Sequence, residues 1–229
     1  MPVRAVVFDM DGLMFNTEDV YTVAGSELLA RRGRSFSTEL KDAMMGLPPE
    51  PSFRVMIQWL GLAEDWQTLA RESNEIFLGL LADRLQMMPG LPGLLAALEQ
   101  SGIPKAIATS SGRQLTEACL RPFDLARRFQ FVLTSEDIVR GKPDPEVYQL
   151  AARRFGVPPG EMLVLEDSQN GCRAAAAAGA FTVAVPGEHS RRHDFSSANL
   201  LVDSLADPRL YAALGITAPT PSRESARRE

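Results

Sequence analysis

The sequence predicts an α/β fold, a doubly wound parallel sheet with an all-helical lid inserted after its first strand. Beyond residue 87, short apolar runs rich in β-branched residues alternate with amphipathic helical stretches. Such alternation implies parallel strands joined by right-handed helical crossovers. Between residues 17 and 85, apolar side chains instead recur every three or four positions, which is typical of helices. A helical segment therefore interrupts an otherwise alternating chain.

The first strand and the lid are predicted from four local patterns. Residues 3–8 form an apolar, β-branched run that indicates a buried strand, and they lead into a turn at Asp9-Met10-Asp11-Gly12. Thr17 precedes two acidic residues and is a favourable helix start. Apolar residues at helical spacing from Trp66 to Leu85 predict one long amphipathic helix. Residues 46–51, with one glycine and three prolines, predict a loop between helices.

The second half of the chain supplies the alternating elements. The predicted strands are residues 103–108, 131–133, 162–165 and 181–185. The predicted helices are residues 91–100, a segment from about 114, residues 145–155, and an alanine-rich segment, 172–178, that is stopped by Gly179. We assign residues 1–15 and 87–218 to the core and residues 16–86 to the lid. Residues 219–229, which contain Pro, Ser and Arg, are predicted to be a flexible tail.

The composition is typical of a globular protein. The 229 residues include 45% hydrophobic and 23% charged side chains, with a net charge of −5. This charge argues against nucleic acid as a partner, because nucleic-acid-binding domains carry basic patches. The two cysteines form no zinc or disulfide motif, and no run of about 18 apolar residues indicates a membrane span. No signal peptide is recognised, so we expect a cytoplasmic protein without a membrane partner, with a monomer as the default.

Side chains able to do chemistry follow four of the predicted strands. They are Asp9 and Asp11 after the first strand, Thr109 and Ser110 after the second, Lys142 in the loop after the third, and Glu166 and Asp167 after the fourth. The ligands of an open parallel sheet bind beyond the carboxyl ends of its strands. We therefore expect these side chains to meet in one site.

The residue types at these strand ends indicate phosphoryl transfer. Crowded carboxylates repel one another and require a cation, and oxygen ligands suit Mg²⁺. A hydroxyl and a lysine at neighbouring strand ends can hold phosphate oxygens and offset transition-state charge. Of two aspartates one residue apart, one can attack phosphorus while the other transfers protons. The expected partner is a small phosphorylated metabolite.

Four motifs along the chain resemble those of the haloacid dehalogenase-like hydrolase superfamily. They are Phe8-Asp9-Met10-Asp11-Gly12, Thr109-Ser110-Ser111, Gly141-Lys142-Pro143-Asp144-Pro145, and Leu165-Glu166-Asp167-Ser168 with Gly171. Each motif follows a predicted strand, and all four stand in the superfamily's sequence of motifs. The resemblance extends from about residue 3 to residue 216 and implies a Rossmann-like catalytic core with a helical cap.

This resemblance implies a role for each residue at the strand ends. Asp9 would be the nucleophile that forms an aspartyl-phosphate, and Asp11 would be the general acid and base. Mg²⁺ would be held by Asp9, by the backbone carbonyl of Asp11 and by Asp167, with Glu166 as a direct or indirect helper. The phosphoryl group would be bound by Thr109, Ser110 and Lys142. The helical insertion would close over the site, exclude water and select the substrate.

Within the superfamily, the chain is similar to the subgroup of β-phosphoglucomutase and pseudouridine-5′-phosphatase. Tyr21 stands where the mutase has a histidine, Pro49 where it has a cap arginine, and Ser73 where it has a cap lysine. These departures favour a phosphatase for sugar phosphates or nucleoside 5′-phosphates, with a phosphomutase as the enzymatic alternative. Asn16 replaces the usual aspartate at the entry to the cap. Tyr21 and Gly46 are candidate substrate residues in the cap.

The same residues allow other interpretations. Asp9 and Asp11 can act as turn residues, Thr109 and Ser110 as helix caps, Lys142 as a surface charge and Tyr21 as part of the packed interior. Among enzymes, a dehalogenase needs neither Asp11 nor the acidic pair at 166–167. The non-enzymatic alternative is a phospho-acceptor signalling domain of the receiver type. Such domains place the acceptor at the end of an inner strand and not of the first strand, and they carry no helical lid.

Overall fold

The computed structural model describes residues 2–44, 47 and 49–218. Its strands are β1 (Ala5–Phe8), β2 (Lys105–Ala108), β3 (Val132–Leu133), β4 (Met162–Glu166), β5 (Phe181–Ala184) and β6 (Leu200–Leu201). All pair in parallel, in the spatial sequence β3-β2-β1-β4-β5-β6. The predicted doubly wound parallel sheet is confirmed, and β1 lies at its centre.

The α-helices of the described residues fall into two groups. Those between β1 and β2 are α1 (Thr17–Ala30), α2 (Thr38–Met44), α3 (Pro49–Leu60), α4 (Trp66–Arg84) and α5 (Leu91–Gln100). Those after β2 are α6 (Arg113–Leu120), α7 (Glu146–Phe155), α8 (Gln169–Ala178) and α9 (Pro208–Leu214). α1 packs against α4, and α3 packs against both α2 and α4. None of these helices is long and apolar enough to cross a membrane.

The sheet is covered on both faces because its central strands are apolar on both. In β1, Val6 and Phe8 join one buried cluster, while Ala5 and Val7 join the other. Alternate side chains of a strand point to opposite faces, so the uninterrupted apolar run is the expected pattern of a central parallel strand. The cluster of Val6 and Phe8 continues into α1–α4 and includes Phe77. The inserted helices therefore share buried packing with one face of the sheet.

The chain leaves the sheet for α1 and returns from α4 along neighbouring paths. The Met88 N–H donates to the Met14 carbonyl at 2.8 Å, and the Asn16 N–H donates to the Gln86 carbonyl at 3.1 Å. The Asn16 side chain joins the same two segments: its Oδ1 accepts from the Gln86 N–H at 2.7 Å, and its Nδ2 donates to the Arg84 carbonyl at 3.2 Å. The division at residues 15/16 and 86/87 stays a prediction, and the predicted tail, 219–229, lies outside the described residues.

Several element boundaries differ from the sequence prediction. α3 begins at Pro49, inside the predicted loop, since proline is favourable in the first turn of a helix. α8 begins three residues earlier than predicted because the Ser168 hydroxyl accepts from the Gly171 N–H at 3.1 Å and caps it. β2 begins at Lys105 rather than at residue 103. β6 and α9 were not predicted, since two and seven residues carry little periodicity.

Candidate active site

Lys142 lies between two buried carboxylates at the carboxyl edge of the sheet. Its Nζ donates to Asp9 Oδ1 at 2.5 Å, to Glu166 Oε1 at 2.6 Å and to the Ala108 carbonyl at 3.0 Å. Asp9 follows β1, Ala108 ends β2 and Glu166 ends β4. The structure therefore joins three strand ends through one ammonium group, as the prediction of a shared site requires.

Burial and charge act against each other at this ion pair. Burial disfavours the charged form of Lys142, but Asp9 and Glu166 outweigh it and raise the lysine pKa well above its usual range. Burial raises the pKa of Asp9 well above its usual range, Lys142 opposes this, and Glu166 and Asp11 add to it. The lysine is thus held positively charged beside the proposed nucleophile.

Glu166 is fully buried, and protein groups occupy both of its carboxylate oxygens. Oε1 accepts from Lys142 and from the Tyr148 hydroxyl at 2.5 Å, while Oε2 accepts from the Ser168 hydroxyl at 2.9 Å. Tyr148, on α7, was not predicted to belong to the site. No sequence pattern marks it beyond its place soon after the Gly-Lys-Pro motif.

Asp9, Glu166 and Asp167 form a buried group of oxygen ligands. Each offers one carboxylate oxygen, and these oxygens lie within 4.8 Å of one another. Burial, Asp9 and Glu166 raise the pKa of Asp167 well above its usual range. Three buried carboxylates exceed the single charge of Lys142, so a further cation would stabilise their charged forms. Its all-oxygen chemistry fits Mg²⁺. A contribution from the Asp11 backbone carbonyl stays a prediction.

The Asp11 carboxylate is held by two hydroxyl groups from the segment after β2. The Thr109 hydroxyl donates to Asp11 Oδ2 at 2.9 Å, and the Ser111 hydroxyl donates to the same oxygen at 2.8 Å. Ser110, between them, is exposed. The structure thus brings Thr109 to the site and adds Ser111, which the motif contains but to which the sequence analysis gave no role. Phosphate binding by Thr109 and Ser110 stays a prediction.

Tyr21 reaches the site from the first inserted helix. Its ring stacks on Phe77 of α4, with centroids 4.2 Å apart and planes 24° from parallel. Burial together with Asp11 raises the pKa of Tyr21 well above its usual range, and Ser111 opposes this shift. Tyr21 therefore packs inside the helices and also faces the site. Gly46, the other candidate in the lid, lies outside the described residues.

A cavity of about 150 Å³ opens beside Asp167. Its lining includes Gly12, Glu18 and His189. Burial raises the pKa of Glu18, and Asp11 adds to this effect. Lys41 Nζ donates to His189 Nδ1 at 3.0 Å, and His189 Nε2 donates to Asp19 Oδ1 at 2.7 Å. An ammonium group can only donate, so His189 Nδ1 is the acceptor in the first contact and Nε2 is the donor in the second.

Known proteins are similar to this chain over most of its length. The protein-family model described as haloacid dehalogenase-like hydrolase matches residues 6–185. The "Probable pseudouridine-5'-phosphatase" of Drosophila melanogaster is 38% identical over 207 residues, which cover 88% of this chain and 89% of that protein. The "Phosphorylated carbohydrates phosphatase" of Thermotoga maritima is 30% identical over 176 residues, covering 77% and 82% of the two chains.

A solved structure has a similar fold over nearly the whole chain. CbbY from Rhodobacter sphaeroides, crystallised in complex with phosphate, superposes with a TM-score of 0.79 and 29% sequence identity. The match covers 89% of this chain and 95% of CbbY. It includes the inserted helices as well as the sheet, since the sheet and its flanking helices alone could not account for that coverage.

Proposed function

Because this chain belongs to the haloacid dehalogenase-like hydrolase family, we propose that it is a Mg²⁺-dependent phosphatase for small phosphomonoesters. The family, predicted from four short motifs, is confirmed, and the chain is an enzyme of the hydrolase class. The observation that carries the specific proposal is the ion pair between Asp9 and Lys142, with Asp11 close by in the same turn. This arrangement supports a nucleophile, a phosphate-binding cation and a proton carrier at one edge of the sheet.

In the first step, an Asp9 carboxylate oxygen attacks phosphorus. The new bond is an acyl phosphate on Asp9, and the bond from phosphorus to the substrate's ester oxygen breaks. Asp11 supplies the proton that the departing oxygen needs, so the substrate leaves as an alcohol. Lys142, 2.5 Å from Asp9 Oδ1, places its positive charge where the phosphoryl oxygens become more negative.

In the second step, water attacks phosphorus of the Asp9 acyl phosphate. Asp11, now a carboxylate, takes the proton of that water, and the acyl–phosphate bond breaks to release inorganic phosphate and restore Asp9. Bound Mg²⁺, held by Asp9, Asp167 and the Asp11 backbone carbonyl, would supply positive charge for the phosphoryl oxygens. Glu166 acts through Lys142, because its Oε1 accepts from the Lys142 Nζ at 2.6 Å and holds the ammonium group in place.

The substrate class is argued from the relatives and from the lid. The relatives are named as phosphatases of pseudouridine 5′-phosphate and of phosphorylated carbohydrates. Both substrates carry a phosphomonoester on a sugar, and we propose a sugar phosphate or nucleoside 5′-phosphate here. Helices α1–α4 serve as the cap that excludes water. The proposal keeps the expectation from the sequence of a monomeric cytoplasmic enzyme.

The test is release of inorganic phosphate from a panel of sugar phosphates and nucleoside 5′-monophosphates. Asp9→Asn removes the nucleophile and is expected to lower kcat at least about 10⁴-fold, and EDTA is expected to silence the native protein. Asp124→Asn is the matched control, because Asp124 is exposed and its left-handed backbone, φ 51°, suits asparagine equally. Phosphate release by Asp9→Asn, or in EDTA, would overturn the proposal.

The same panel separates the alternatives. A phosphomutase would convert glucose 1-phosphate to glucose 6-phosphate without net release of phosphate. A receiver-like domain would accumulate an aspartyl-phosphate that lasts for minutes without turnover. Either outcome excludes the phosphatase, for which we expect continuous release of phosphate that is proportional to enzyme concentration.

A further inference from the structure

Ser111 occupies a position that the proposed reaction has not used. Its hydroxyl donates to Asp11 Oδ2 at 2.8 Å. We propose that Ser111 is a positioning residue for Asp11. This inference rests on the proposed function, since it assumes that Asp11 is the general acid and base.

The Ser111 backbone is held by hydrogen bonds on both sides. The Ser111 N–H donates to the Thr109 hydroxyl oxygen at 3.0 Å. The Ser111 carbonyl accepts from the Ser135 N–H at 3.1 Å. These bonds attach the residue to the segment after β2 on one side and to the segment after β3 on the other. A backbone held in this way keeps the Ser111 hydroxyl within reach of the Asp11 carboxylate that it contacts.

Two hydroxyl groups donate to one carboxylate oxygen of Asp11, which gives its two oxygens different roles. Thr109 and Ser111 both donate to Oδ2, so Oδ2 is committed as an acceptor. The proton that Asp11 gives to the leaving oxygen, and later takes from water, is then carried on Oδ1. Effective proton transfer needs the carrying atom within hydrogen-bonding reach of the reacting oxygen. Fixing Oδ2 fixes the place of Oδ1 as well.

The test uses two substrates that differ in their need for an acid. p-Nitrophenolate leaves phosphorus without a proton, whereas the alkoxide of ribose 5-phosphate needs one. Ser111→Ala should therefore leave the burst rate of p-nitrophenolate release at its native value, measured by stopped flow. It should slow the later steady state by about 10-fold or more, because water attack still requires a base. With ribose 5-phosphate, both steps should slow.

Three further variants separate positioning from general damage. Ser111→Thr keeps the hydroxyl and should restore the steady-state rate to within about threefold. Ser111→Gly also removes the hydroxyl and should slow the steady state in the same pattern as Ser111→Ala. Ser135→Ala removes a neighbouring exposed serine hydroxyl and should change neither rate. Thermal unfolding of every variant establishes that it is folded, and Ser111→Gly carries the test if Ser111→Ala is not.

Two results would overturn the inference. One is native kinetics for both Ser111→Ala and Ser111→Gly on both substrates. The other is an equal loss of burst and steady-state rates with p-nitrophenyl phosphate, which would assign Ser111 to phosphate binding instead. Failure of the proposed function is recognised separately: it would show as turnover by Asp9→Asn, measured on the same two substrates.

Discussion

Gly171 lies directly against the carboxylate of Glu166. A Cβ atom on residue 171 would be 1.8 Å from Glu166 Oε1 and 2.1 Å from Oε2. No side chain fits at that distance, and Glu166 has nowhere to move, since Lys142, Tyr148 and Ser168 hold it. The glycine of the fourth motif is thus a steric requirement of the buried carboxylate.

Gly171→Ala is expected to damage both stability and activity. The methyl group must displace Glu166, which breaks its hydrogen bonds and leaves Lys142 misplaced. We expect a loss of about 2–4 kcal/mol in the free energy of unfolding, measured by urea denaturation, and a fall in kcat of at least about 10-fold. Gly79→Ala is the control: no atom lies within 4 Å of its Cβ, and it should stabilise α4 by about 0.5–1 kcal/mol. Equal stability of the two variants would contradict the steric argument.

Lys142→Met removes the cation between Asp9 and Glu166. Two buried carboxylates are then left without their partner, which typically costs about 3–5 kcal/mol. We expect that loss in urea denaturation without added metal, together with loss of phosphatase activity. Adding Glu166→Gln to Lys142→Met should recover part of the stability, because one of the unpaired charges is gone. A double variant no more stable than Lys142→Met would argue against electrostatic coupling.

Glu99 gives stability that depends on pH. Hydrogen bonds from Arg128, opposed by burial and aided by Lys105, lower the Glu99 pKa to about 2. A carboxylate whose pKa is lower in the folded state contributes fully above its unfolded value of 4.5, and the contribution disappears as pH falls from there towards 2. With Glu99 partly exposed, Glu99→Gln should cost roughly 1 kcal/mol at pH 7.

The measurement is urea denaturation of the native protein and Glu99→Gln at pH 7, 4 and 3. The difference in unfolding free energy should shrink steadily over that series. The control is Glu75→Gln, at an exposed position of α4, whose effect should be near zero. A difference that stays constant with pH would assign the effect to lost packing rather than to charge.

Asn16→Asp should loosen the connection between the lid and the sheet. An aspartate can still accept from the Gln86 N–H, but it loses the donor to the Arg84 carbonyl and adds charge next to Asp19. We expect a loss of about 1–2 kcal/mol. Faster amide hydrogen exchange at Gln86 would localise the change. Unchanged exchange there would show that the Asn16 side chain does not join the two segments in solution.

Added Mg²⁺ is expected to stabilise the folded protein through its buried carboxylates. At 100 times the dissociation constant, a ligand of the folded state adds about 2.7 kcal/mol, which thermal unfolding detects as a higher Tm. Asp167→Asn removes one proposed ligand and should abolish most of this increase. A Tm that is insensitive to Mg²⁺ in the native protein would contradict a metal site at Asp9 and Asp167.

The central sheet and the clustering of Asp9, Lys142, Glu166 and Asp167 could be predicted because local patterns encode them. β-Branched runs, turn glycines and helical spacing are read over a few residues. The rule that ligands bind at the carboxyl ends of parallel strands then collects the side chains into one site. The parallel topology brings these side chains together, which no single motif predicts.

The remaining site residues were not predictable, since their roles depend on contacts between distant segments. Ser111 is one of three adjacent hydroxyl residues, and the sequence does not show which of them donate to Asp11. The Tyr148 hydroxyl, on α7, donates to Glu166 at the end of β4. Lys41 and His189 are 148 residues apart in the chain, and neither belongs to a motif. Such pairs are fixed by packing, which leaves no short-range pattern.

The central position of β1 has a consequence for synthesis on the ribosome. β1 is the first strand to be made, yet it pairs with β2 and β4. Lys142 stands 133 residues after Asp9. At 5–20 residues per second, roughly 7–27 seconds therefore pass between the synthesis of Asp9 and that of the lysine that pairs with it. Both edges of this apolar strand stay unpaired until β2 has been made, and the other edge stays unpaired until β4 follows. The growing chain therefore exposes an apolar strand early, and the lid helices, translated next, are the first structure available to shield it.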